Sequence, residues 1–174
     1  MIEKQFSYSF IGIFMRIFRV AVTVILLLQP VQPAFPVLAQ TTIKDSCDSQ
    51  KKALVKGSDG LHYPSESEYP FEYFTSNQVS LPTANNFATL VGQQRQPASR
   101  VNFDDFFNQL IKNLEAAGAE EEMIRGYRAL RQDFKRRFTD LAVYRVGTIQ
   151  VQTYLTGINS SCGMAGLKTI SIET

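Results

Sequence analysis

Between Met123 and Phe138 the apolar side chains Met123, Tyr127, Leu130, Phe134 and Phe138 return at steps of four, three, four and four. That is the period of one helical face, and it predicts the clearest helix in the chain. Phe106, Phe107, Leu110, Ile111 and Leu114 predict another just upstream, entered from a short strand at Val101 to Phe103. A first helix carries Ala53, Leu54 and Val55, with Asp45 or Ser46 as its cap and Gly57 and Gly60 at its end. Tyr69, Phe71, Tyr73 and Phe74 mark a strand in the second half of residues 61–74, which Pro70 confines to an edge or to its own start. The stretch from Ser76 to Ser99 is rich in Asn, Gln, Pro and Thr and holds only a short helix, around Phe87 to Val91. Strands follow at Ala142 to Val146 and Ile149 to Leu155, with Gly147 in the turn. Gly157 to Gly163 reads as a loop and Leu167 to Thr174 as a last strand, Ile170 and Ile172 on one face, Thr169, Ser171 and Glu173 on the other. Helices that precede a run of strands give an α+β layer fold with a mainly antiparallel sheet.

The first 39 residues follow a different pattern. Lys4, Arg16 and Arg19 precede the uncharged apolar run Val20 to Leu28; Pro30, Pro33 and Pro36 follow, and Val37-Leu38-Ala39 offers a small residue before a cut. This is the layout of a secretory signal peptide, cleaved after Ala39, with Met15 an equally complete starting point. The competing reading, a retained anchor from Phe10 to Leu28, has Arg16 and Arg19 inside it. The expected organisation is therefore a signal peptide at 1–39, a domain at 40–174, and a secreted or periplasmic product, with no membrane attachment after cleavage. Export also bears on Cys47 and Cys162, the two cysteines of the chain, because an oxidising compartment favours a disulfide between them over two free thiols.

Cleavage changes the charge. The 174-residue chain carries a formal +2; the leader takes with it three basic residues and one acidic residue, which leaves zero. A nucleic-acid binder needs a basic face and a nucleic-acid mimic an acidic excess, so bulk charge supports neither. The helix of Arg125, Arg128, Arg131, Lys135, Arg136 and Arg137 also holds Glu120, Glu121, Glu122 and Asp133, and reads as a solvated face rather than a phosphate-binding one.

Enzyme chemistry has little to work with. His62 is the one histidine, the cysteines have no paired-ligand spacing, and no serine lies in a nucleophile elbow, so neither a metal site nor a triad is expected. His62 reads as a surface or packing residue. The dense polar group is Ser65-Glu66-Ser67-Glu68, with Glu72 nearby. On an extended segment Glu66 and Glu68 point the same way, roughly 7 Å apart. A glycosidase pair has that separation, but its carboxylates flank a substrate from different elements. A solvated turn whose serines bond to nearby backbone is the bland alternative.

The string Ser58-Asp59-Gly60-Leu61 followed by Ser65-Glu66-Ser67-Glu68-Tyr69-Pro70-Phe71-Glu72 resembles the signature of the nuclease A inhibitor family. So do Val143-Tyr144-Arg145-Val146-Gly147, Ala165-Gly166-Leu167 and the closing Glu173-Thr174; the similarity runs from about Cys47 to the last residue and is weakest between Thr75 and Arg100. The resemblance implies a three-layer α/β/α sandwich similar to pathogenesis-related-1 proteins. It implies inhibition of a sugar-nonspecific DNA/RNA endonuclease with a magnesium-dependent ββα-metal site, as a monomer in a 1:1 complex, without cofactor, metal or nucleic acid of its own. By motif position, Glu66 and the terminal carboxylate of Thr174 would reach the target's active site. Ser65, Ser67, Glu68 and Glu173 complete the expected partner-binding set, the last two as partners for the target's arginines. Carboxylate oxygens suit a hard cation that otherwise coordinates phosphate and water. Two placed anions need no acidic surface, which fits a neutral mature chain. The chain departs from a strong interface in having no Trp and no aromatic anchor between Asn113 and Glu122.

Three functions follow in order of expectation: a secreted nuclease inhibitor, a secreted binding domain for another ligand such as a lipid or cell-wall fragment, and a hydrolase using Glu66 and Glu68. Inhibition saturating near one inhibitor per nuclease marks the first, and turnover without any nuclease marks the last.

Overall fold

The computed structural model describes residues 46–65 and 69–173; the predicted leader, residues 66–68 and Thr174 lie outside the described residues. The elements are α1 (Cys47–Gly57), β1 (Glu72–Ser76), α2 (Ala84–Leu90), β2 (Ala98–Val101), α3 (Phe103–Ala116), α4 (Glu121–Arg137), β3 (Leu141–Val146), β4 (Gln150–Asn159) and β5 (Gly163–Ile172). The strands form one five-stranded sheet in the order β1-β5-β4-β3-β2, and every neighbouring pair is antiparallel. The fold is α+β, with four helices and this sheet among the described residues.

Local chemistry explains where the helices begin. Ser46 Oγ accepts from the Ser49 amide at the head of α1, and Thr83 does the same for α2. Asn102 Oδ1 accepts from both Asp104 and Asp105 at 2.8 and 3.1 Å. This cap places the start of α3 at Phe103, so the strand expected at Val101 to Phe103 ends at Val101 and starts earlier, at Ala98. Helix α4 has no side-chain cap, but Glu121 and Glu122 sit in its first turn and Lys135, Arg136 and Arg137 in its last, the arrangement its macrodipole favours.

The faces of the sheet carry separate cores. Val143, Leu155, Ala165 and Leu167 pack with Leu54 of α1, Phe106, Phe107 and Leu110 of α3, and Tyr127, Leu130 and Phe134 of α4. The alternate positions Ala142, Tyr144, Val146, Tyr154 and Met164 pack with Phe87 and Ala88 of α2, where Phe87 stacks on Tyr144 with ring centroids 3.9 Å apart. In α4 the fully buried stripe enters through Ile124, and Met123 is only partly buried. Ile170 and Ile172 are also only partly buried, while Thr169 and Ser171, on the opposite face of β5, are buried. The polar face of this strand is thus the covered one, and Thr169 on it bonds to a loop described below.

Strands β4 and β5 are longer than expected. The segment Gly157 to Gly163, read as a loop, is strand as far as Asn159, and β5 starts at Gly163 rather than Leu167. Two glycines of these strands serve close packing. A Cβ on Gly166 would sit 1.8 Å from the Leu155 carbonyl oxygen, and one on Gly157 would sit 2.5 Å from Phe138. Cys162, in the short β4–β5 connection, forms a disulfide with Cys47 at the head of α1, with Cα atoms 5.3 Å apart.

Candidate functional site

The segment from Leu61 to Phe71 connects α1 to β1 and carries the Ser-Glu-Ser-Glu motif. Its described parts are firmly seated. Leu61 is buried against Gly126 of α4, where a Cβ would stand 2.7 Å from the leucine side chain. Tyr127, one residue on, donates its hydroxyl to the His62 carbonyl at 2.6 Å. His62 and Pro70 form an antiparallel bridge that closes the loop, and Thr169 of β5 donates its hydroxyl to the Tyr69 carbonyl at 3.1 Å. Tyr63 stacks on Phe106 of α3, with rings 13° from parallel and centroids 6.0 Å apart. The first end of the loop is therefore fixed to α3 and α4 and the second to β5.

Beneath it the sheet is polar. Arg145, Thr153 and Thr169 are cross-strand neighbours on β3, β4 and β5, on the same face as Val143, Leu155 and Leu167. Val151 and Ser171 are the next facing pair. Glu173 completes the group. Its amide donates to the Ile149 carbonyl at 2.8 Å, its carboxylate pairs with the Arg145 guanidinium, and Ser171 Oγ lies 2.9 Å from the same carboxylate oxygen. Ser171 Oγ also lies 3.4 Å from the Val151 carbonyl; with one proton to donate, the shorter contact to a charged acceptor is the stronger. Arg145 Nε, Thr153 Oγ1 and His62 Nδ1 are buried without a partner among the described residues. Burial raises the Tyr63 phenol above its ordinary pKa; nearby Arg145 opposes the shift and Glu173 reinforces it. Tyr63 thus lies within electrostatic reach of both members of the ion pair. An open groove of about 660 Å³ runs beside this point, between Tyr63, Pro64, Arg145, Phe106 and Leu110.

Of the expected partner-binding residues, Ser65 is partly buried and Glu173 is in the pair just described. Glu66, Ser67, Glu68 and Thr174 lie outside the described residues. The disulfide between Cys47 and Cys162 is at the start of β5, and Glu173 is just beyond its far end. Sequence reading passed over Arg145, Ser171 and Tyr63 as site residues. A signal was available for Arg145: it stands two positions after Val143 in a strand, so alternation assigns it to the core face. A charge there requires a partner. Among the described residues no group of three or more His, Cys, Asp or Glu is arranged to hold a metal ion. Five of the six basic residues of α4 are engaged with acids: Arg131 and Lys135 with Asp104, Arg128 with Glu115, and Arg136 and Arg137 with Asp133.

These features define a small α+β protein in which a pinned, acidic loop and the last strand share one covered end of an antiparallel sheet. The family model for nuclease A inhibitor-like protein matches residues 49–174, and the chain belongs to that family. No curated protein matches it.

Proposed function

We propose that residues 40–174 are an exported inhibitor, without turnover of its own, that blocks the active site of a sugar-nonspecific, metal-dependent endonuclease with Glu66 and the terminal carboxylate of Thr174. Membership of an inhibitor family supports a protein partner of this class. One observation carries the reading of the site. Tyr63, three residues before Glu66, and Glu173, one residue before Thr174, come together around Arg145. Chain connectivity limits how far Glu66 and Thr174 can stand from these neighbours, which supports a shared site. Anions so placed suit a partner whose hard cation ordinarily meets phosphate and water. The arrangement of α1, α3 and α4 on one face and α2 on the other supports the α/β/α layering of pathogenesis-related-1-like folds. The disulfide supports an oxidising destination, reached by cleavage after Ala39, which the mass of the exported product would check.

The test is titration of the mature protein, with a free C-terminus, against a nuclease of this class. Inhibition should saturate near one inhibitor per enzyme. A short extension after Thr174 should abolish it, and Glu66→Gln should weaken binding by about 2 kcal/mol or more while leaving the melting temperature nearly unchanged. Indifference to the extension would return the protein to the class of domains that bind another ligand. Parallel loss of binding and stability in Glu66→Gln would make Glu66 a structural residue.

A further inference from the structure

We infer that Arg145 is a positioning residue that holds the C-terminal carboxylate in place through Glu173, without itself touching the nuclease. The inference rests on the reading of the Thr174 carboxylate as an inhibitory group. Terminal residues fray unless something ties them down. Here Glu173 is tied three ways: its amide to Ile149, and its carboxylate to Arg145 and to Ser171. The amide bond fixes the backbone on the β4 side, and the two carboxylate contacts fix the side chain over the sheet. One peptide link separates this residue from Thr174, so the freedom of the terminal carboxylate depends on how firmly Glu173 is held.

The strand geometry shows why an arginine is suited to this. Position 145 shares its face with buried Val143, where an apolar side chain would satisfy packing alone. An arginine there is directional: its planar guanidinium stays charged at any working pH and offers several donors in a fixed fork. Its side chain is 31% exposed and that of Glu173 39%, so the pair is partly sheltered from solvent screening. Thr153 is the register partner of Arg145 on β4, and Tyr63 lines the same groove as Arg145. Preorganisation of this kind lowers the ordering cost of binding and adds no contact to the partner.

The measurement that isolates this role needs no nuclease. A broad-specificity carboxypeptidase should release Thr174 from Arg145→Met at least about tenfold faster than from the natural protein, and Arg145→Lys should fall between the two. Glu173→Gln leaves the arginine in place and should also speed release; it makes the comparison should Arg145→Met fail to fold. Inhibition by Arg145→Met should weaken about tenfold, yet the same substitution should add little once Thr174 has been deleted. Unchanged release in both variants, or an undiminished effect of Arg145→Met without Thr174, would overturn the inference. Failure of the natural protein to inhibit would instead overturn the reading of the site, and the release rates would still decide whether Arg145 clamps the chain end.

Discussion

Tyr127 belongs to the core by its ring and to the loop by its hydroxyl, which donates to the His62 carbonyl. Burial raises its phenol well above the ordinary value. The phenols of Tyr63, Tyr73, Tyr144 and Tyr154 are raised as well, each chiefly by desolvation. The folded chain therefore keeps protons that the unfolded chain releases near pH 10. The corresponding stability is fully present below about pH 10 and is lost as the pH climbs through the raised values. Melting temperature measured against pH should fall above pH ~10, and Tyr127→Phe should make that fall shallower. The same substitution removes one hydrogen bond and should cost about 1 kcal/mol at neutral pH. A fall that Tyr127→Phe leaves unaltered would assign the alkaline sensitivity to other groups.

At the scale of elements, most helices and strands were legible because their signals are local. The spacing of Phe106, Phe107, Leu110, Ile111 and Leu114 is realised in α3, and all of these residues are buried. The cap at Asn102 is equally local, and it corrects the expected strand: a carboxamide that accepts from two amides starts a helix there. Asn102→Ala should destabilise the fold by roughly 1–2 kcal/mol in thermal or denaturant unfolding, and a loss below a few tenths would show that tertiary packing alone fixes the start of α3. The segment from Gly157 reads as a loop because glycine usually marks a turn, and Gly166 carries no local sign of its packing. Their reason for being glycine lies in other elements, in Phe138 and in the Leu155 carbonyl, and no local pattern records it. The covered polar face of β5 escaped for the same cause. Thr169 and Ser171 are both buried, and Thr169 bonds to Tyr69 of a loop from the other side of the sequence.

For the whole molecule, the disulfide and the candidate site occupy opposite ends of β5, a ten-residue strand. The bridge closes a loop of 115 residues in sequence separation. In the chain-entropy model this constrains the unfolded state by on the order of 4 kcal/mol and leaves the folded site untouched. Replacing both Cys47 and Cys162 with Ala should therefore lower the melting temperature markedly and leave inhibition, assayed well below that temperature, within about twofold. A large loss of inhibition in a folded double variant would mean that the bridge shapes the distant end as well.

The sequence by itself determined the α+β class, the apolar stripes of α3 and α4, and the motif that marks the family, since each is written in residues close together along the chain. The zero net charge expected after cleavage at Ala39 argued against a nucleic-acid surface. Only the tertiary structure decided what lies beneath the loop. Arg145, Thr153, Thr169 and Ser171 come from three strands, and Tyr63 and Glu173 stand 110 positions apart. Their meeting depends on strand order and register. Those are set by long-range pairing and packing, which leave no periodic trace along a single segment.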